Sequence, residues 1–206
     1  TAAIEDLTFL SMQQRGMIEL CGTESVPLMQ PFIQIDQEEL AFTGLQWSRE
    51  HFWIPSGHKE TKQATVKFTV LTPVGERGFA IRLSVTARTD CRLKLGARGL
   101  WSKSVHCVNE DKELTGQAYI YESAWNSSFI MDYRVGFPVF ALAPMTDRAG
   151  KSEWAQTEDG ISYQISCELN AKAGQEEAFT IFWGLGFEEV AAATSAKEQL
   201  RRGWDW

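Results

Sequence analysis

The hydrophobic and polar positions of this chain read as strand after strand until its last twenty residues or so. Phe79, Ile81, Leu83, Val85 and Ala87 fall on one face of an extended segment, and Arg82, Ser84, Thr86 and Arg88 fall on the other. A period of two is the geometry of a β-strand with one buried face. Ala64, Val66, Phe68 and Val70 alternate in the same way with Thr65, Lys67 and Thr69. Between these segments, Pro73-Val74-Gly75-Glu76-Arg77-Gly78 supplies the proline and glycine that a chain reversal uses. Cys91, Leu93, Leu95, Ala97 and Trp101 mark a further long strand after Thr89-Asp90. Weaker strands are predicted over 117–123, 129–135 and 137–145, and Asp159-Gly160 is a type I′ hairpin signal between 152–157 and 161–169. Toward the N-terminus, 16–21, 26–35 and 38–42 are extended. Pro27, Pro31 and Gly44 interrupt this region and assign it to sheet edges or irregular crossings.

The period changes once, near the end. Phe179, Ile181, Trp183, Leu185 and Phe187 alternate with Thr180, Phe182, Gly184 and Gly186, after which Glu188 and Glu189 open a helix. Its acidic first turn and the Arg201-Arg202 pair in its last turn match the helix macrodipole, and Gly203 stands at the C′ position. Val190, Ala193, Ala196, Leu200 and Trp204 form the expected apolar stripe. About a dozen strands without repeats or a linker-like break predict one all-β domain over 1–206. It is expected to consist of two packed antiparallel sheets with one C-terminal helix at about 188–202. The sequence ends Gly203-Trp204-Asp205-Trp206. Each indole stabilises a packed state by ~2 kcal/mol or more when buried. Leu200, Trp204 and Trp206 are therefore expected to form a domain interface, with 188–206 leading to a next domain of a longer polypeptide.

Composition narrows the function more than the fold. With 44% hydrophobic and 12% aromatic residues there is material for a large core. A net charge of −7 disfavours nucleic-acid backbones and anionic membrane surfaces as partners. Cys21, Cys91, Cys107 and Cys167 show no C-x-x-C spacing, and Cys91 and Cys167 fall in phase with core positions of their strands. They read as buried thiols in a reduced compartment such as the cytoplasm, with a Cys91–Cys107 bridge as the open alternative.

Catalytic motifs are missing. There is no G-x-S-x-G, and His51, His58 and His106 lack the spacing of a triad or a zinc site, so no metal and no cofactor is expected. The acidic doublets fall in turns, at strand ends or at the helix start, where solvated charge is the ordinary reading, and no catalytic residue is assigned. Gly184 and Gly186 precede a helix, but the glutamates at its start would repel an anion, so close packing is the better explanation. The aromatic residues stand out. Trp47, Glu50 and Trp53 in the segment 46–55 combine flat apolar faces with hydrogen-bonding groups, as do Trp101 beside Ser102 and Lys103, and Trp125 beside Asn126. Such side chains suit carbohydrate recognition, and equally suit a sandwich core or a domain interface.

The strand Thr180-Ile181-Phe182-Trp183-Gly184-Leu185-Gly186, the helix start Glu188-Glu189-Val190-Ala191, the turn 73–79 and the strand Leu83-Ser84-Val85-Thr86 resemble the N-terminal super-sandwich of glycoside hydrolases with an (α/α)6-barrel catalytic domain. Bacterial glucoamylases and debranching-type glucosidases are of this kind. The resemblance covers about residues 60–206 and is one of cadence; Val190 departs from the alanine commoner in that family. It implies a non-catalytic sandwich that packs on a C-terminal catalytic barrel of the same polypeptide and helps shape a sugar cleft. A stand-alone carbohydrate-binding module and a mutarotase-like epimerase, built on His51 or His58 with His106, are the competing expectations.

Overall fold

The expected alternation is realised as an all-β, sandwich-like fold in the computed structural model, which describes residues 2–11, 16–122, 127–132, 140–186 and 188–205. Eight strands form the largest sheet, in the order β12 (Gln117–Glu122), β13 (Ser127–Asp132), β14 (Phe140–Thr146), β17 (Glu176–Gly186), β8 (Gly78–Ala87), β7 (Ala64–Leu71), β6 (Ile54–Glu60) and β5 (Gln46–Glu50). Five form the second, in the order β15 (Lys151–Gln156), β16 (Gly160–Ala171), β9 (Cys91–Ser102), β3 (Gln30–Ile35) and β4 (Glu38–Glu39). A third sheet orders β1 (Asp6–Ser11), β2 (Gly16–Cys21), β10 (Ser104–Cys107) and β11 (Lys112–Thr115). All pairings between these strands are antiparallel.

The third sheet corrects the expectation of two. After Ser102 the chain turns at Lys103, whose amide donates to the Asp159 carbonyl, and the next strand leaves β16 to pair with β2. A turn of one residue carries little sequence signal, which is why β10 and β11 were not anticipated. The segment 46–60, notable in the sequence for its aromatics, is the edge hairpin β5–β6. Of the weaker strands, 129–135 appears as Ser127–Asp132; residues 133–139, Trp125, Asn126 and Phe187 lie outside the described residues.

The hairpin at Asp159-Gly160 forms, with a different turn from the one its sequence advertises. Thr157 and Gly160 are the hydrogen-bonded pair, so Glu158 and Asp159 make the turn. Asp159 is absent from the residues with positive φ, as a type I′ turn would not allow. Gly160 is needed for a different reason: its φ is +151°, and a Cβ there would stand 1.9 Å from the Trp101 carbonyl oxygen.

The core lies between the eight- and five-stranded sheets. Phe68, Leu83, Val85, Phe179 and Ile181 from one meet Leu93, Leu95, Ala97, Ile161 and Ile165 from the other. Cys167 is part of this core, where burial pushes its thiol up to about 11. The four cysteines are thiols outside any disulfide, and burial raises the pKa of each, so all are poor nucleophiles. Trp183 is the centre of an aromatic group. It stacks on Phe79 at 6.0 Å, tilts against Trp101 at 6.2 Å and meets Tyr163 edge-on at 5.3 Å, and the Tyr163 hydroxyl donates to the Leu28 carbonyl at 2.9 Å.

On its other face β17 receives the helix α1 (Glu189–Arg202), which begins and ends within a residue of its predicted bounds. Of the predicted stripe only Ala196 is fully buried. Ala192, Ala196 and Gln199 are buried, whereas Val190 is 63% exposed and Leu200 is half-buried. The reason is steric. A Cβ at Gly184 would lie 2.0 Å from the Ala192 carbonyl oxygen, and one at Gly186 2.5 Å from the Ala192 nitrogen. The helix backbone thus touches the strand backbone, and only small side chains, with Ala143 of β14 beside them, fit between. The glycines therefore serve close packing, as the sequence indicated.

Replacing Trp183 with alanine is expected to cost ~3–5 kcal/mol by opening a cavity among three rings. Gly184→Ala should cost about 1–3 kcal/mol, because the helix must lift from the sheet to admit one methyl group. Urea titration followed by tryptophan fluorescence and far-ultraviolet circular dichroism measures both. A Gly184→Ala protein as stable as wild type would show that the backbones are not in contact.

Candidate functional site

Two surfaces carry the chemistry that the sequence singled out. The first is the hairpin β5–β6 at the edge of the eight-stranded sheet. Edge strands are held on one side only, and this one is fastened to β7 by charge. Lys67 pairs with Glu50, whose carboxylate also accepts from Ser56. The Lys67 ammonium holds the Glu50 carboxyl below its ordinary range, so Glu50 is an anchored anion with no proton to give at neutral pH. Ser56 and Thr69 bond across the next strand pair at 3.2 Å, and Ser48 donates to the Ser56 carbonyl.

The tip of the hairpin is strained. His51 and Phe52 adopt φ values of +45° and +76°, in the left-handed region where a side chain costs energy that glycine avoids. The turn presents Phe52, 83% exposed, and Trp53, 66% exposed, with their rings at 6.3 Å in an edge-to-face pair. Of these two large apolar side chains, Phe52 stands on a conformation that glycine would adopt more easily.

The four residues expected to contact carbohydrate are thus dispersed. Trp53 is presented to solvent. Trp47 lies half-exposed on the inward side of β5, with its ring edge-on to Phe68 at 6.4 Å, so it closes the open end of the core. Glu50 is committed to its ion pair. Trp101 is 1% exposed within the aromatic group around Trp183, where no sugar reaches it. The strand period had already put Trp101 in phase with Leu95 and Ala97; its polar neighbours Ser102 and Lys103 drew attention to it for the wrong reason. His58 is on β6 and His51 on the hairpin tip, whereas His106 is in the third sheet, 3.7 Å from Asp111. The residues named for an epimerase are thus divided between two sheets. Among the described residues no group of three histidine, cysteine, aspartate or glutamate side chains is placed to hold a metal ion.

The second surface is the strand–helix junction. Two side chains fix the helix to the turn before β8 and a third fixes it to β17. Ser195 donates to the Arg77 carbonyl, Arg202 pairs with Glu76 at 2.7 Å, and Gln199 donates to the Trp183 carbonyl at 3.1 Å. Glu198 bridges Arg201 and Arg202, and these two guanidinium groups bring its carboxyl down to about 2. After Gly203, at φ +80°, the chain turns back, and the Trp204 ring covers the Arg82 guanidinium at 5.5 Å. Trp204 is half-buried against its own sheet, and Trp206 lies outside the described residues.

No family model and no curated protein matches this sequence. Its fold does have solved counterparts. A putative kojibiose phosphorylase from human microbiome superposes on 99% of this chain with a TM-score of 0.60 at 12% identity. The chain spans 28% of the length of that protein. At this identity the likeness is one of fold.

Phe52→Gly is expected to stabilise the protein by about 1 kcal/mol, through relief of the left-handed strain at no cost in buried area. Thermal unfolding checks this. A fall in melting temperature would mean that the Phe52 ring holds the hairpin together and has no other duty.

Proposed function

We propose that this chain is the non-catalytic β-sandwich domain of a carbohydrate-active enzyme, one that cleaves glycosidic bonds in a separate helical barrel of the same polypeptide. The observation that carries the proposal is the fold likeness, which takes in nearly the whole of this chain and only 28% of the phosphorylase. The resemblance of 180–191 to the strand-to-helix passage of glycoside hydrolases points the same way. In this reading the exposed side of α1, with Val190 and the half-buried Leu200 and Trp204, meets the barrel, and Trp206 follows them. The docked side is already closed by the glycine contacts, so the helix acts as a rigid spacer. The domain lends stability and shape to the sugar cleft and supplies no acid, base or nucleophile.

The purified chain should therefore release no product from kojibiose with inorganic phosphate, nor from nitrophenyl glycosides in water. Turnover in either assay would overturn the proposal, as would a stop codon directly after Trp206 in the gene.

The exposure of Trp53 and Phe52 favours a second reading, a free carbohydrate-binding module with the hairpin as its platform. In that case tryptophan fluorescence responds to oligosaccharides and Trp53→Ala abolishes the response. An unaltered response in Trp53→Ala removes this reading.

A further inference from the structure

The outer face of the five-stranded sheet carries a feature that neither the hairpin nor the helix accounts for. Gln30 pairs with Arg98, Arg98 with Gln164, and Gln164 with Glu153. The four therefore form one row across β3, β9, β16 and β15, on the face opposite Ala97, Ile165 and the rest of the core. At a strand spacing of about 4.8 Å the row spans about 14 Å, the length of a short oligosaccharide. It forms the floor of a cavity of about 560 Å³, with the segment at Pro27 and the edge strand at Trp154 as walls. That volume is within the range of small-molecule sites.

The row is held in place before any ligand arrives. Arg98 lies over the Phe32 ring at 5.2 Å and makes a two-pronged contact with Glu39 at 2.6 and 3.0 Å. Two of its five N–H groups are used there, and the side chain lines the cavity. The Gln30 amide group donates to the Pro31 carbonyl and that of Gln164 to Glu153, while Glu153 also pairs with Lys151. Guanidinium and amide donors thus lie beside amide and carboxylate acceptors along the floor, a mixture that hydroxyl groups satisfy by donating and accepting in turn. Charge argues against an anion: Glu39 neutralises Arg98, Glu153 is a carboxylate, and the chain as a whole carries −7.

We propose that this row, Gln30, Arg98, Gln164 and Glu153, is a binding site for neutral oligosaccharide on the sandwich itself, separate from the Trp53 hairpin. It rests on the functional reading above only for the class of ligand. The site holds a glycan chain beside the enzyme and takes no part in bond cleavage.

Titration of the purified chain with maltotriose, cellotriose and xylotriose, followed by amide chemical shifts, tests it. We expect saturable binding to at least one of the three in the millimolar range, with shifts at Gln164 and Trp154. Gln164→Ala should weaken binding roughly fivefold, the effect of one hydrogen bond. Arg98→Lys keeps the charge over Phe32 and loses the fork, and should weaken it at least as much. No saturation with any of the three sugars overturns the proposal. So does binding that survives both variants but is lost in Trp53→Ala, or saturable binding of inorganic phosphate at these residues. Turnover by the chain would overturn the functional reading and leave this site untouched, so the two failures are told apart.

Discussion

A strand buried on both faces sets a stricter condition than any other element here, and β17 is that strand. Its inward side chains, Phe179, Ile181 and Trp183, fill the space between the sheets; its outward positions Gly184 and Gly186 lie against the backbone of α1. The two demands are opposite and alternate residue by residue. Large rings are needed on one side to fill a wide gap, and at Gly184 and Gly186 no side chain at all is tolerated on the other. The Trp183 carbonyl, bonded by Gln199, joins the two sides. The sandwich core and the docked helix are therefore coupled through a few residues, and a change to either face is felt on the other.

This coupling explains the divided character of the surface. Since the close-packed side of α1 is lined with alanine, the apolar residues left over, Val190 and Leu200, face away from the sheet or lie at its margin. In an isolated domain that placement would waste buried area. In a domain that meets a barrel it gives the helix a second face to offer. The hairpin tip has the same logic: His51 and Phe52 occupy a backbone conformation suited to glycine, and the Phe52 ring is exposed with Trp53 as its aromatic neighbour. Local choices that oppose folding tend to concentrate where a surface is used.

The polar row on the five-stranded sheet differs from both. It lies across four neighbouring strands, with Arg98 held from beneath by Phe32 and from the side by Glu39. Its order comes from register, since the four residues are separated in sequence by as much as 134 positions, from Gln30 to Gln164. No inspection of neighbouring residues would find it. The aromatic segment 46–55 drew attention because its residues are adjacent in the chain, yet only Trp53 of those chosen there is displayed to solvent as a platform would be.

What the sequence determined by itself was whatever depends on local period and local sterics: the all-β class, the long strands at 64–71, 78–87 and 91–102, the single helix with its C-terminal glycine, and the reading of Gly184 and Gly186 as packing residues. Hydrophobic alternation is a property of consecutive residues, so it survives without knowledge of partners. Three things were decided only in the folded molecule. One was the third sheet, which depends on a turn of one residue at Lys103. Another was the buried face of α1, where backbone contact ranked side-chain size above hydrophobicity and displaced Val190 in favour of Ala192, and a hydrogen bond to the Trp183 carbonyl buried Gln199. The last was the assembly of the Gln30–Glu153 row, set by which strands lie side by side. Pairing and register are relations between distant segments, and a one-dimensional pattern holds no record of them until the chain has folded.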